Sequence, residues 1–369
     1  MSQAGQAAND GRRSRGADRR ILIDALAARY GGAAYATVAL ARELARKSEI
    51  ATVLVVTRRD SIVERGLAGA QGVECVALAK AARMELVRRL AWETLRLRGL
   101  VGRRRCAGVI SMSGMLLRPV GCPLVCVLAN PVLYERRTLA NLLRRWAIRR
   151  TARHATYLAA PSRPMADLVS ASVDRDCAAL PFGVDHGVFR PPAKAGREIL
   201  CVADFYAHKH HDLLLDAWLA LPSPRPGLRL VGNPAVDPQA HARLVARIEA
   251  LEESDSIVLE YRVPLQRLVH AYESARVFVM PSEHESFCMP LAESMACGVP
   301  AVVRAIPSLR ETGGAGATYL DGDDPTRWAA AIGRLIEDDG EHDRARRSAI
   351  EAAIRFSWDS FAAELAAHL

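Results

Sequence analysis

Short apolar runs separated by amphipathic stretches recur along this chain. The first is ILIDAL at 21–26, followed by the turn ARYGG, by AAYATVALARELARK with apolar residues at helical spacing, and by IATVLVVT at 50–57. Apolar runs of this length mark strands covered on both faces, and the succession strand, turn, helix, strand is the βαβ unit of a parallel sheet. Runs at VECVAL (73–78), AGVISM (107–112), PLVCVLA (123–129) and TYLAAPS (156–162) continue the alternation. Strands alternating with helices over such a length predict an α/β doubly wound sheet.

The pattern breaks at PFGVDHGVFRPPAKAG (181–196), rich in Pro and Gly and without periodicity, which reads as an interdomain linker. It then restarts: EILCVA, LRLVGN, SIVLEY, RVFVMPS and AVVRA as strands, with HHDLLLDAWLAL, PQAHARLVARIEALEE and PLQRLVHAYESA as helices between them. A Gly-rich turn at ETGGAGATYL, two helices near 325–338 and 341–354, and an amphipathic final helix in FSWDSFAAELAAHL complete the chain. The expected organisation is a tail over 1–19, a Rossmann-like domain over 20–185, a second over 186–355, and a closing helix over 356–369. Two such domains are expected to face each other across a cleft at the carboxyl ends of their strands, where open α/β sheets bind ligands.

Composition narrows this picture. Half of the 369 residues are apolar and a quarter charged, as in soluble globular proteins. No run approaches the ~18 consecutive apolar residues of a membrane span, and the Arg-rich, polar first 20 residues lack the apolar core of a secretory signal. A disordered tail on a cytoplasmic protein is therefore expected. The eight cysteines show no paired CxxC spacing and several lie inside apolar runs, which predicts buried free thiols rather than disulfides or zinc ligands. Lys and Arg outnumber Asp and Glu 31 to 15 over residues 1–185, whereas acids lead 26 to 19 over the rest, so the two parts carry +16 and −7. The first part could thus face an anionic surface, or its arginines could simply be solvated on helix faces. Nucleic acid is not expected, because the basic runs lack interleaved aromatics and no nucleic-acid module is legible.

The chemistry concentrates in PSEHESFCMPLAESMACGVPAVV (281–303). The preceding RVFVMPS is a buried strand; Pro290 suits a first helical position, and Gly298 and Pro300 end the helix. Free N–H groups at that helix start, on Leu291 and Ala292, could hold an anion. Glu285 on the turn and Glu293 one helical turn inside could accept hydrogen bonds from sugar or ribose hydroxyls. The same residues also admit a structural use, Glu293 complementing the helix dipole and Glu285 solvated.

The string Glu285-Ser286-Phe287-Cys288-Met289-Pro290-Leu291-Ala292-Glu293, continuing to Pro300, resembles the Glu-x7-Glu signature of retaining GT-B glycosyltransferases of family 4, the glycosyl transferases group 1. YGGAAY, GVDHGVFRP, HKHHDLLLDAW and DGDDPTRWAAAI agree in order, so the resemblance covers roughly residues 20–369. It implies transfer of a sugar, with its anomeric configuration retained, from a nucleotide-diphosphate-sugar to a hydroxyl of a glycan, lipid-linked or small-molecule acceptor. By the same resemblance the first domain binds the acceptor and the second the nucleotide-sugar, and the last helix crosses back to the first domain. Glu285 would bind donor-sugar hydroxyls, Glu293 the ribose, and Lys209 the diphosphate, whose charge grows in the transition state. The backbone at Phe287, Cys288 and Met289 would hold sugar hydroxyls and phosphate. With a fixed cation and amides at the leaving group, no metal and no other cofactor is expected. The Gly31-Gly32 turn, whose backbone carries no Cβ, would approach the donor phosphates or the acceptor, or serve only as a tight turn after the first strand.

Three positions depart from the family pattern. Asp204 stands where an arginine usually accompanies the diphosphate lysine, so it would need a neighbouring cation such as His208 or His210, or a differently shaped loop. Cys288 replaces the glycine after the aromatic, narrowing the sugar pocket or changing the backbone angle. Asn130 lies in the region where many relatives carry a histidine; it cannot act as a general base, but it can hydrogen-bond an acceptor. Two Arg-rich segments, 81–105 and 136–154, could lie on an anionic membrane or pack on the sheet with solvated arginines. Two other functions stay open: a nucleotide-sugar epimerase on the same fold, and a non-catalytic nucleotide-sugar-binding or partner subunit.

Overall fold

The computed structural model describes residues 19–28, 31–79, 85–135 and 138–369. The tail expected over 1–19, save Arg19, and Tyr30 of the YGG turn lie outside the described residues, as do 81–84 and 136–137 of the basic segments. The chain divides into two compact units. One runs up to Gly183 and includes Trp358–Leu369; the other is Val184–Ser357.

The sheet of the first unit contains β1 (Arg20–Asp24), β2 (Thr52–Arg58), β3 (Val73–Leu78), β4 (Cys106–Ser111), β5 (Leu124–Val127), β6 (Tyr157–Ala160) and the two-residue β7 (Ala178–Ala179). Their order is β3-β2-β1-β4-β5-β6-β7, all parallel. The second unit holds β8 (Glu198–Val202), β9 (Leu228–Gly232), β10 (Ile257–Tyr261), β11 (Ala275–Met280), β12 (Ala301–Arg304) and β13 (Ala317–Leu320), in the order β10-β9-β8-β11-β12-β13, again all parallel. Both sheets follow the doubly wound order 3-2-1-4-5-6, with β7 added to the first. In each, the strand order reverses beside the first strand, so the switch points fall between β1 and β4 and between β8 and β11.

The central strands are buried throughout: Ile21, Leu22 and Ile23 in β1, Leu124–Val127 in β5 and Val277–Met280 in β11 are at most 1% exposed. This explains why they read as unbroken apolar runs. The helices between them start on local polar signals. Ser162 caps helix Arg163–Val173 by accepting from Met165 N–H, and Asp324 caps helix Pro325–Glu337 by accepting from Thr326 N–H. The latter helix turns Trp328, Ile332 and Leu335 inward. The eight cysteines are free thiols, six of them buried.

Three elements differ from the sequence reading. The second half of ETGGAGATYL is strand β13, paired in register with β12, because the glycines occupy only a short 3-10 turn at Gly314–Gly316 before it. β7 is too short to leave a periodic signal. The segment 81–105 carries two helices, Glu85–Leu95 and Leu97–Arg103. The last helix, Trp358–Ala367, belongs to the first unit and packs on helix Gly31–Arg46.

Candidate active site

Lys209 and Glu285 are 76 residues apart in sequence, yet Lys209 Nζ lies 2.5 Å from Glu285 Oε1. Their strands place them. Lys209 ends the short 3-10 turn Ala207–Lys209 that follows β8, and Glu285 lies on the turn that follows β11, so both stand at the carboxyl side of the second switch point. The two loops are fastened to each other: Glu283 N–H donates to the His208 carbonyl (3.0 Å), as does the Ser282 hydroxyl (3.4 Å). Both charged side chains are largely covered, 15% and 11% exposed. Burial alone would pull the Lys209 ammonium down, but Glu285, Cys288 and Asp204 together outweigh it, and the net shift is upward.

The expected helix runs from Met289 to Ala296, with Cys288 as its N-cap at φ +69°. Cys288 thus holds the left-handed conformation that favours glycine, with its side chain buried. Leu291 must be corrected as an anion donor. Its N–H, like that of Ala292, donates to the Cys288 carbonyl, at 3.1 and 3.3 Å. The helix begins at Met289, so these two amides are already inside its ladder. Pro290 has no N–H, which leaves Cys288 and Met289 as the donors at the helix start. Phe287 is buried edge-on against Phe356, and its carbonyl accepts from the Thr312 hydroxyl at 2.6 Å. The turn is therefore braced from beneath.

Glu293 lies on the inner side of this helix and accepts from the Tyr272 hydroxyl at 2.8 Å. Burial lifts its carboxyl to about 7, against a smaller lowering by that hydrogen bond. Asp204 follows β8 on the same side of the sheet. Burial raises its carboxyl, while Lys209, the Asn233 N–H and Arg262 act in the opposite direction. The cations that act on Asp204 are thus Lys209 and Arg262. His210 instead pairs with Glu283 (3.1 Å), and His208 stacks on Tyr206. Arg262 follows β10 in a left-handed conformation, φ +49°, and its Nε donates to Asn233 Oδ1 at 2.9 Å. Gly232 allows these loops to meet, since a Cβ there would lie 2.1 Å from the Ala203 carbonyl oxygen.

His210, Glu283 and Asp323 bring one ligand atom each within 4.8 Å of the others. Both carboxylates are already engaged, Glu283 by His210 and Asp323 by Arg304 at 2.5 Å. Arg304 also donates from Nε to the Pro281 carbonyl (2.7 Å), which braces the strand end leading to Glu285.

Tyr272, Thr312, Arg262 and Arg304 could not be singled out from sequence. Tyr272 is an interior position of an amphipathic helix and Arg304 a strand terminus, and neither sits at a spacing that implies a partner. Gly31, Gly32 and Asn130 lie in the first unit. Gly31, at φ +59°, opens helix Gly31–Arg46 after β1. Asn130 is exposed after β5, and its Oδ1 is taken by Val132 N–H at 3.1 Å, leaving its amide nitrogen to donate outward.

Residues 189–355 match the model of the family described as glycosyl transferases group 1. That match falls within the second unit and spans nearly all of it. A D-inositol 3-phosphate glycosyltransferase of Acidothermus cellulolyticus is 33% identical to this chain over 222 residues, which are 54% of the chain and 48% of that protein. One from Thermobispora bispora is 32% identical over 225 residues, 56% of this chain and 52% of its own. The chain thus spans about half the length of these curated relatives. Among solved structures, Anabaena HepE in complex with UDP-glucose superposes with a TM-score of 0.78 at 16% identity, covering 94% of this chain and 98% of that one. Sucrose-phosphate synthase of Thermosynechococcus elongatus gives 0.77 at 18% identity, covering 95% and 98%. These likenesses establish the fold: the two units are the Rossmann-like halves of a GT-B chain.

Proposed function

We propose that this protein is a retaining glycosyltransferase that moves a sugar from a nucleotide-diphosphate-sugar to a hydroxyl of a glycan, lipid-linked or small-molecule acceptor. The observation that carries the proposal is the Lys209–Glu285 pair at the switch point of the unit that matches the group 1 family. Breaking the bond from the anomeric carbon to the donor oxygen leaves negative charge on a nucleoside diphosphate. A largely buried ammonium and the amides of Cys288 and Met289 would stabilise that charge where it develops. Glu285, acceptor-only when ionised, would orient the donor sugar by its hydroxyls while Lys209 fixes its direction. Glu293 would receive the ribose hydroxyls beside the phenol of Tyr272. Gly31, Gly32 and Asn130 would meet the phosphates or acceptor from the first unit. The UDP-glucose bound by HepE and the names of the curated relatives support this chemistry.

Lys209 and the helix-start amides would stabilise charge on the leaving group without a metal, so the proposal includes metal-independent transfer. Its setting is cytoplasmic, with contact to an anionic membrane through the basic first unit. Calorimetric titration with UDP, GDP, ADP and TDP tests the donor site first. Binding of one nucleotide, lost in Lys209→Ala, supports it; binding of none in the intact protein rejects it. With the donor so identified, NMR of the product decides the stereochemistry, since an inverted anomeric centre would exclude retention. Transfer that survives exhaustive chelation supports metal independence, and transfer restored only by a divalent cation would point to His210, Glu283 and Asp323.

A further inference from the structure

Helix Leu139–Ala152 of the first unit presents two faces of opposite use. Asn141, Ile148, Thr151 and Ala152 are buried toward the sheet. On the other side Leu139, Leu142, Leu143 and Trp146 are 75%, 49%, 59% and 56% exposed. At 100° per residue these four positions fall within one arc of about 100°. Single exposed apolar residues are ordinary, but four large ones in one stripe call for a partner.

The continuation of the stripe says which partner. Arg149 and Arg150 are exposed at the carboxyl-terminal end of the same helix. From residue 136 to 166 the sequence contains eight arginines and no Asp or Glu. Among the described residues neither Arg149 nor Arg150 has an ion-pair partner. An apolar stripe with a Trp, flanked by unpaired arginines, matches a bilayer surface: leucines and indole enter the acyl boundary, and guanidinium groups meet lipid phosphates. A second copy of this chain would bring two sets of arginines together. A nucleic acid would offer no layer for the leucines.

We infer that helix Leu139–Ala152 docks the protein on an anionic lipid bilayer, with Leu139, Leu142, Leu143 and Trp146 inserted and Arg149 and Arg150 on the headgroups. The inference deepens the proposed membrane contact by giving it a surface and a depth. It does not depend on which sugar or acceptor is used.

The test is flotation of the full chain with vesicles of phosphatidylcholine alone and of phosphatidylcholine with about one-third phosphatidylglycerol. Binding is expected only to the anionic vesicles and should weaken as salt is raised. Each arginine neutralised should reduce partitioning roughly fivefold, so Arg149→Gln/Arg150→Gln should lose most of it. Leu143→Ser/Trp146→Ser should lose it too, while Trp146→Phe should keep it. Of the five tryptophans, Trp218, Trp328 and Trp358 are buried and Trp92 is half-buried. Quenching of the intact protein by acyl-brominated lipid should therefore arise chiefly from Trp146 and largely disappear in Trp146→Phe.

Nucleotide titration of the same variants separates this inference from the proposed reaction. Nucleotide binding without vesicle binding overturns the docking helix and leaves the transferase reading standing; vesicle binding without nucleotide binding does the reverse. Absence of vesicle binding together with a dimer that dissociates in Trp146→Ser would assign the face to a second copy and reject the bilayer. Equal binding to neutral and anionic vesicles would reject the role of the arginines.

Discussion

At the scale of single residues, two carboxylates carry separable tests. Glu293 is held at about 7 by burial, and an acid whose folded value lies above its unfolded one favours folding while protonated. That contribution is complete below the ordinary value of 4.5 and is lost as pH rises through about 7, with a size of roughly 3 kcal/mol. Glu293→Gln should therefore raise the melting temperature more at pH 8 than at pH 5. A ribose hydroxyl donates more strongly to the ionised form, so nucleoside diphosphate affinity should rise over the same interval. Calorimetry at several pH values checks this, and a flat profile in the intact protein would remove Glu293 from the ribose site. Glu285 is expected to behave differently. Glu285→Ala should abolish transfer yet leave nucleotide affinity nearly unchanged, whereas Lys209→Ala should cost about 10²-fold or more in rate and weaken the diphosphate as well. Steady-state kinetics beside nucleotide titration distinguish the two, and full activity in both variants would overturn the assignment.

At the scale of elements, helix Glu85–Leu95 is tied to the first switch point by a buried charge cluster. The Asp24 carboxyl closes β1 with no exposure and accepts from Leu26 N–H and Ser111 Oγ, both at 3.4 Å. Glu93 descends from the helix beside it, with Arg89 Nε at 3.3 Å and both its own oxygens without a well-aligned hydrogen bond. Burial, and then the charge of Asp24, push the Glu93 carboxyl well above its ordinary value, and burial raises Asp24 as well. The helix is anchored while Glu93 keeps its proton and should loosen as pH rises through its elevated value. Arg89 from the helix and Arg58 from β2 oppose this shift without reversing it. Glu93→Gln should retain the anchor at alkaline pH, which hydrogen exchange over residues 85–95 would detect as protection that no longer falls with pH. Such a pair is illegible in sequence, because Asp24 and Glu93 share no spacing and meet only through the order of the sheet. The strands were legible for the opposite reason: in parallel sheets, burial on both faces writes an unbroken apolar run. Lys209, Glu285 and Glu293 were legible through the signature string, whereas the occupied amides of Leu291 and Ala292 follow from where the helix starts, a matter of one residue.

At the scale of the whole molecule, the chain passes from the first unit to the second at Gly183–Val184 and returns at Ser357–Trp358. The Pro- and Gly-rich text near 181 marked the first passage. The second has no such signature, because FSWDSF continues in an amphipathic pattern that fits either neighbour. The returning segment is bound by specific contacts within the first unit. Phe182 packs edge-on against Phe361 (5.4 Å) and beside Trp358 (5.9 Å), Tyr157 stacks on His368 at 3.7 Å, and Lys47 pairs with Asp359 at 2.9 Å. Phe361, Ala362 and Leu365 are at most 1% exposed. The exposed ion pair contributes little, but each large apolar side chain buried here is worth about 1.5–3 kcal/mol. Ending the chain at Ser357 should therefore destabilise the first unit selectively, uncovering Phe182 and the face of helix Gly31–Arg46. Lys209, Glu285 and Glu293, the residues proposed to hold the donor, all lie in the second unit, so nucleotide binding should survive the truncation while transfer is lost. Urea unfolding followed together with nucleotide titration separates these outcomes: an early transition appearing in the truncated chain with nucleotide affinity preserved is the expected result. Loss of both in one transition would show that the second unit does not fold without the first.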